Sequence, residues 1–154
     1  MPTDPLKVMK IRDNCSTSNT YGNVRDGGKK PHQGWDIDAK VNTSIYAIAD
    51  GTIEFIEDTD SGDYGRQICL KFTHNSETLY AFYAHLSTIS VKKGDTVKEG
   101  AELGYSGKTG NAKSLAVDQE HLHFEIRTSA RPGTGLTGRK DPGDVLGKDA
   151  LTCK

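Results

Sequence analysis

Five histidines, His32, His74, His85, His121 and His123, are the side chains best suited to bind a metal or carry a proton near neutral pH. His121 and His123 stand two apart in HLHFEIR. On a strand, alternate residues share a face, so both imidazoles and Glu125 line one side while Leu122, Phe124 and Ile126 face a core. His32 and Asp36 stand four apart in PHQGWDID, where Gly34 allows a turn that bends both around one cation. Zinc accepts imidazole nitrogen and carboxylate oxygen in a tetrahedron, and a catalytic site keeps a position open for water beside about three protein ligands. His32, Asp36 and one histidine of the H-x-H pair meet that requirement. Each fragment alone is a short pattern that recurs by chance, and an isolated exposed histidine is more often a solvated surface residue.

These side chains need rigid elements to bring them together. Alternation and turn residues predict a mainly β, mostly antiparallel fold with one buried face and one face free to carry a site. Ser44–Ala49 and Thr52–Ile56 are β-prone runs joined by Asp50-Gly51, a hairpin signal. Gln67–Thr73 is the next strand, with Ile68, Leu70 and Phe72 on one face. In Thr78–Leu86, Tyr80, Phe82, Ala84 and Leu86 fall on one face, and Leu79, Ala81, Tyr83 and His85 on the other. From Val91 to Gly110, glycine turns separate short strands. Glu120–Arg127 is another strand. Residues 1–31 read as an irregular N-terminal loop region and 129–154 as a Gly- and Pro-rich tail. The whole, 1–154, reads as one domain with its core at about 21–128.

Composition narrows the function. Twenty Lys plus Arg against 21 Asp plus Glu leave no basic patch, so no nucleic-acid partner is expected. No apolar run is long enough to cross a membrane, so no insertion is expected. MPTDPLKVMK has no apolar h-region and does not read as a Sec signal peptide. Cys15, Cys69 and Cys153 form no C-x-x-C pair, which argues against a thiolate zinc site. Cys69 reads as a core residue. Cys15 and Cys153 flank the domain and are available for a disulfide in an oxidising compartment; three inert thiols is the alternative.

Four ordered phrases carry a resemblance to the lysostaphin-like (LytM-type) zinc endopeptidases. HQGWDID resembles that family's H-x-G-x-D, IYAIADGTI its V-x-A-x-x-D-G-x-V, YAHL its Y-x-H-L and HLHFEIR its H-L-H-F-E. The glycine ladder from Gly94 to Gly110, with SGKTG, lies between the last two as the family has it. The likeness runs from Tyr21-Gly22 to Arg127, about two-thirds of the chain. It implies a lysostaphin-like peptidase fold, mainly β with a central antiparallel sheet and a groove carrying a zinc site, a Zn2+ cofactor held by His32, Asp36 and His123, and catalytic roles for His121 and His85. His74 matches a position without metal duty. The implied substrate is the peptide cross-link of peptidoglycan, reached in the periplasm or the extracellular wall.

The chain also departs from the family. Many relatives have Gly-Pro before H-L-H, where this chain has Gln119-Glu120 at the end of a loop, 111–120, that should wall the groove. Some relatives place a tyrosine near the metal as an oxyanion donor. The nearest here is Tyr21, eleven positions before His32, with Arg25 as the other candidate substrate contact; a structural role in the N-terminal loop competes for both. Two rival readings are a non-catalytic relative that binds the wall or activates other hydrolases, and a lipoyl-like carrier using Lys108. The carrier leaves the histidines without a purpose. The missing signal peptide favours delivery by a phage or a secretion system, in which case a neutralising immunity or inhibitor protein is expected.

Overall fold

The computed structural model describes residues 2–148. Its regular structure is mostly strand, with a short helical turn at Arg12–Cys15 (α1) in which Asp13 and Asn14 take left-handed conformations, the type Asp and Asn adopt most readily after glycine. In chain order the strands are β1 Gly22–Arg25, β2 Lys30–His32, β3 Trp35–Asp38, β4 Ser44–Tyr46, β5 Gly51–Glu57, β6 Arg66–His74, β7 Glu77–Ile89, β8 Thr96–Val97, β9 Glu102–Ser106, β10 His121–Arg127 and β11 Arg139–Lys140. A last short helix, α2, spans Pro142–Leu146; the Asp141 side chain accepts from the Gly143 amide at its N-terminus and Pro142 occupies its first turn.

All pairings are antiparallel. The main sheet has nine strands, in the order β11-β10-β7-β6-β5-β8, with β3 on β10 and β9 joining β7 to β4. Strand β10 is its hub. It pairs with β7 along one edge and with β3, then β11, along the other. One face packs Trp35, Ile37, Ile68, Leu70, Tyr83, Phe124 and Ile126 into the main core. The other carries a smaller cluster of Phe55, Cys69, Phe82 and Ala84. Every residue of β10 is therefore buried, on the side that carries the histidines as well.

Three sequence expectations are corrected. First, Ser44–Ala49 and Thr52–Ile56 do not form a hairpin: β4 pairs with β9, while β5 pairs with β6 and β8. Gly51 does not serve a turn with positive φ; a Cβ there would lie 2.2 Å from the Lys71 carbonyl oxygen, so the glycine permits close strand approach. Second, the N-terminal region is not all loop. Strands β1 and β2 pair, with Gly22 opposite His32 and Arg25 opposite Lys30. Both are short and polar, so no alternation betrayed them.

Third, His85 does not share a face with Leu79, Ala81 and Tyr83. It adopts φ 61°, a left-handed conformation costly for a non-glycine residue. The register of β6 against β7 slips between Arg66 and Ile68, opposite Leu86 and Tyr83. This bulge turns His85 to the histidine side and returns Leu86 to the main core. Beyond it, β7 leaves β6 and pairs with β9.

Cys69 is buried and free, as the strand reading expects. Cys153 lies outside the described residues, and so does the proposed Cys15–Cys153 bridge. No described helix is long and apolar enough to cross a membrane.

Candidate metal centre

Strand register assembles the centre. In β3 and β10, Asp36 stands directly opposite His123 and Asp38 opposite His121. Directly opposed residues share a face at close range, so the register alone sets a carboxylate against an imidazole. His32 ends β2 and reaches the same point through the Gln33-Gly34 turn. A Cβ on Gly34 would lie 2.2 Å from the Phe124 carbonyl oxygen and 2.8 Å from Glu125 Cγ, so only glycine lets this turn lie flat on β10.

His32, Asp36 and His123 are all buried, and one ligand atom of each lies within 4.8 Å of the others. His32 Nε2 is 3.2 Å and His123 Nδ1 2.8 Å from the same Asp36 oxygen, Oδ1. Ligand atoms about 2.0–2.1 Å from a tetrahedral zinc stand roughly 3.3 Å apart, so this cluster needs little adjustment to hold one.

The remaining ring nitrogens are held by partners. His32 Nδ1 donates to the Thr20 carbonyl at 2.9 Å, which directs Nε2 at Asp36 Oδ1 and makes it the nitrogen a cation would take. His123 Nε2 donates to Glu125 Oε2 at 2.7 Å, which directs Nδ1 at Asp36 Oδ1, where a cation would take the place of its proton. Such carboxylate or carbonyl support of a ligating imidazole fixes its tautomer and orientation. Glu125 is fully buried and is in turn held by Arg127 Nε at 2.8 Å and Arg139 Nε at 2.6 Å. Sequence reading placed Glu125 in line with the histidines but gave it no role. Arg139, fourteen residues on in the tail, gave no local signal at all.

The electrostatics favour a cation here. Burial opposes ionisation of Asp36, but hydrogen bonds from His123 and His32 outweigh it and hold the carboxyl well below the usual range. Glu125 is likewise held far down: burial opposes its charge, and His123 and Arg127 outweigh the burial. Burial works against a proton on His123, yet Asp36 and Glu125 raise its pKa to about 9. Two ionised carboxylates thus create a place where positive charge is stable.

Two further histidines flank the cluster. His85 Nδ1 donates to the Thr109 carbonyl at 2.8 Å, and its ring lies 5.0 Å from that of His121 and 6.0 Å from that of His123. Burial, then the charges of His123 and His121, push its pKa down to about 3, so it is neutral with a bare Nε2 at working pH. The SGKTG loop, through Thr109, is what fixes this ring. His121 Nδ1 has the Gln119 carbonyl at 3.0 Å and Arg12 Nη1 at 3.2 Å, and its Nε2 lies 3.7 Å from Asp36 Oδ1. Burial lowers its pKa as well.

All five residues line one cavity of about 460 Å³, with Arg12, Arg25 and Tyr64 among its other walls. Arg25 Nη2 donates to Asp36 Oδ2 at 3.1 Å. Tyr21 is not among the lining residues; its hydroxyl donates to the Arg139 carbonyl at 3.2 Å. The tyrosine that does reach the centre is Tyr64, stacked on His123 at 5.6 Å and hydrogen-bonded by Gln33. The sequence offered no cue for it, because it arrives on the β5–β6 turn. A second groove of about 700 Å³, walled by Leu6, Val8, Tyr46 and Val117, contains none of the histidines.

An antiparallel sheet whose groove carries a His–Asp–His cluster, with two more histidines beside it, defines a class of metal-binding β proteins. The chain belongs to peptidase family M23, whose family model matches residues 30–134. The catalytic domain of lysostaphin from Staphylococcus simulans superposes with a TM-score of 0.66 at 30% identity, covering 84% of this chain and 90% of that one. Peptidoglycan DD-endopeptidase ShyA of Vibrio cholerae is 34% identical over 103 residues, 66% of this chain and 21% of that protein. Murein hydrolase activator NlpD of Escherichia coli is 36% identical over 123 residues, 80% of this chain and 29% of that protein. The chain thus spans less than a third of the length of these curated relatives.

Proposed function

We propose that the chain is a zinc-dependent endopeptidase that hydrolyses peptide cross-links of bacterial peptidoglycan. One observation carries the reading. Two neutral imidazoles, His85 and His121, stand beside three residues that converge on a single point, and each has its Nδ1 side tied down.

His32, Asp36 and His123 would hold the zinc, which supplies Lewis acidity and a bound water of lowered pKa. The chain's own residues do the rest. One of His85 and His121 accepts a proton at Nε2 as water attacks the scissile carbonyl and returns it to the leaving amine. The other donates toward the oxyanion, which His121 can do in the tautomer whose Nδ1 accepts from Arg12 Nη1 at 3.2 Å and whose proton is on Nε2. Glu125 holds the Nε2 proton of His123, so that Nδ1 is the nitrogen that would ligate.

The main alternative is a wall-binding or hydrolase-activating module without catalysis, suggested by the likeness to NlpD. The complete set of two histidines and three ligand-type residues favours catalysis. The setting proposed is the periplasm or the external wall. Delivery by a phage or secretion system, with a neutralising partner, belongs to the same proposal, and co-purification from the native host tests it.

The deciding experiment is mass spectrometry of fragments released from defined wall preparations, with and without a chelator. New amine termini that disappear with the chelator are expected. Intact wall at full zinc loading would refute catalysis. His123→Ala is expected to lose zinc and activity together, whereas His85→Ala and His121→Ala keep zinc and lose about 10²–10⁴-fold in turnover.

A further inference from the structure

Among the five residues of the centre, His85 alone has a backbone that departs from its strand, with φ 61° in a region a non-glycine residue avoids. Arg66 lies opposite Leu86 and Ile68 opposite Tyr83, so Ala84 and His85 together face the single residue Gln67. Such a conformation persists only where the surroundings hold it. Two loops do so here. From the β5–β6 turn, the Tyr64 carbonyl accepts from the His85 amide at 2.8 Å. From the SGKTG loop, the buried Thr109 hydroxyl clips the two strands at the slip. Thr109 Oγ1 accepts from the Arg66 amide at 3.0 Å and donates to the Leu86 carbonyl at 2.8 Å. Gly65 makes room for it: a Cβ there would lie 2.4 Å from that oxygen.

The carbonyl of the same residue meets the ring, 2.8 Å from His85 Nδ1. A carbonyl can only accept, so Nδ1 carries the single proton of the neutral imidazole and Nε2 keeps a lone pair. Nε2 has no hydrogen-bond partner among the described residues, and His85 lines the cavity. His121 differs. Its Nδ1 faces an acceptor, the Gln119 carbonyl, and a donor, Arg12 Nη1, so its neighbours permit either tautomer. Of the two histidines, only His85 is committed by its contacts to take a proton rather than give one.

Resting on the peptidase reading above, we infer that Thr109 is a positioning residue for the reaction: its hydroxyl clamps the bulge, and its carbonyl commits His85 Nε2 to accept the proton. Water gives one proton to that nitrogen as its oxygen bonds to the scissile carbonyl carbon. The C–N bond then breaks, and the same proton leaves on the amine. His121 is left to donate toward the oxyanion. A threonine that served only the local fold would affect stability, but neither the tautomer of His85 nor the balance of kcat against KM.

The test uses the full zinc-loaded chain, with zinc content measured throughout. Imidazole nitrogen NMR spectra of the wild type should place the His85 proton on Nδ1; this needs no variant and no substrate. Kinetics on soluble cross-linked muropeptides prepared from bacterial wall should then separate two substitutions. Thr109→Val keeps the shape and removes both hydroxyl bonds, whereas Thr109→Ser keeps the hydroxyl. Thr109→Val should lose about 10- to 100-fold in kcat with KM and zinc content little changed, the cost of misplacing a catalytic group, and its His85 signals should report mixed tautomers. Thr109→Ser should recover most of the rate. A wild-type proton on His85 Nε2, a Thr109→Val enzyme within about twofold of the parent in kcat, a Thr109→Ser enzyme no better than the valine variant, or activity that falls only in step with lost zinc would each overturn the inference. A wild type that shows the Nδ1 tautomer yet cuts no muropeptide at full zinc loading would instead remove the peptidase reading, and the proton transfer with it.

Discussion

At the scale of residues, the centre depends on side chains that touch no substrate. Glu125 is the clearest. It is the partner that takes the His123 Nε2 proton and so turns Nδ1 toward the metal cluster, and it neutralises Arg127 and Arg139 in a fully buried position. Glu125→Gln should weaken zinc binding about 10- to 100-fold, measured by competition with a chelator. It should also cost about 3–5 kcal/mol of stability in denaturant, because two buried guanidiniums lose their counter-charge. Unaltered zinc affinity would show that His123 keeps its tautomer without help. The histidines and Asp36 were legible because each sits in a short phrase with its own spacing. Glu125 was visible as a position only, and Arg12, Tyr64 and Arg139 not at all. Their partners are far along the chain: His121 lies 109 residues from Arg12.

At the scale of elements, one hydrogen-bonded register does most of the assembly. Setting Asp36 against His123 requires β3 and β10 to close tightly, and Gly34 is the residue that lets the preceding turn lie against Phe124 and Glu125. Gly34→Ala should force that turn off the sheet. The expected result is a loss of about 1–3 kcal/mol in stability together with reduced metal affinity, seen by thermal unfolding and zinc titration on the same sample. A variant that binds zinc as tightly as the parent would mean that the turn has room to shift. Strand existence and type in β6, β7 and β10 followed from period-two alternation. The bulge at His85 did not, because alternation is a local rule and the kink is imposed by the change of partner from β6 to β9. For the same reason Asp50-Gly51 misled: a hairpin signal describes a local turn, while β4 found a better partner in β9.

At the scale of the whole molecule, the centre of the sheet is buried on both faces, and Cys69 reports on the smaller cluster. Burial raises its thiol pKa from 9.0 to about 12. Between those values the unfolded chain has lost the proton that the folded chain keeps, so stability should fall as pH rises from 9.0 toward about 12. The slope from this residue is at most about 1.4 kcal/mol per pH unit. Denaturant unfolding at several alkaline pH values should show a shallower fall in Cys69→Ala than in the parent; identical slopes would exclude the thiol as a source. The sequence by itself determined the fold class, the family likeness and the residue types that converge, since hydropathy alternation and short spaced motifs are properties of neighbouring residues. Only the tertiary structure decided which nitrogen each imidazole turns to the metal cluster, which way His85 faces, and that two arginines from the N-terminal segment close on Asp36. Those outcomes depend on contacts between segments far apart in the chain, where closure of the sheet, not local preference, sets the geometry.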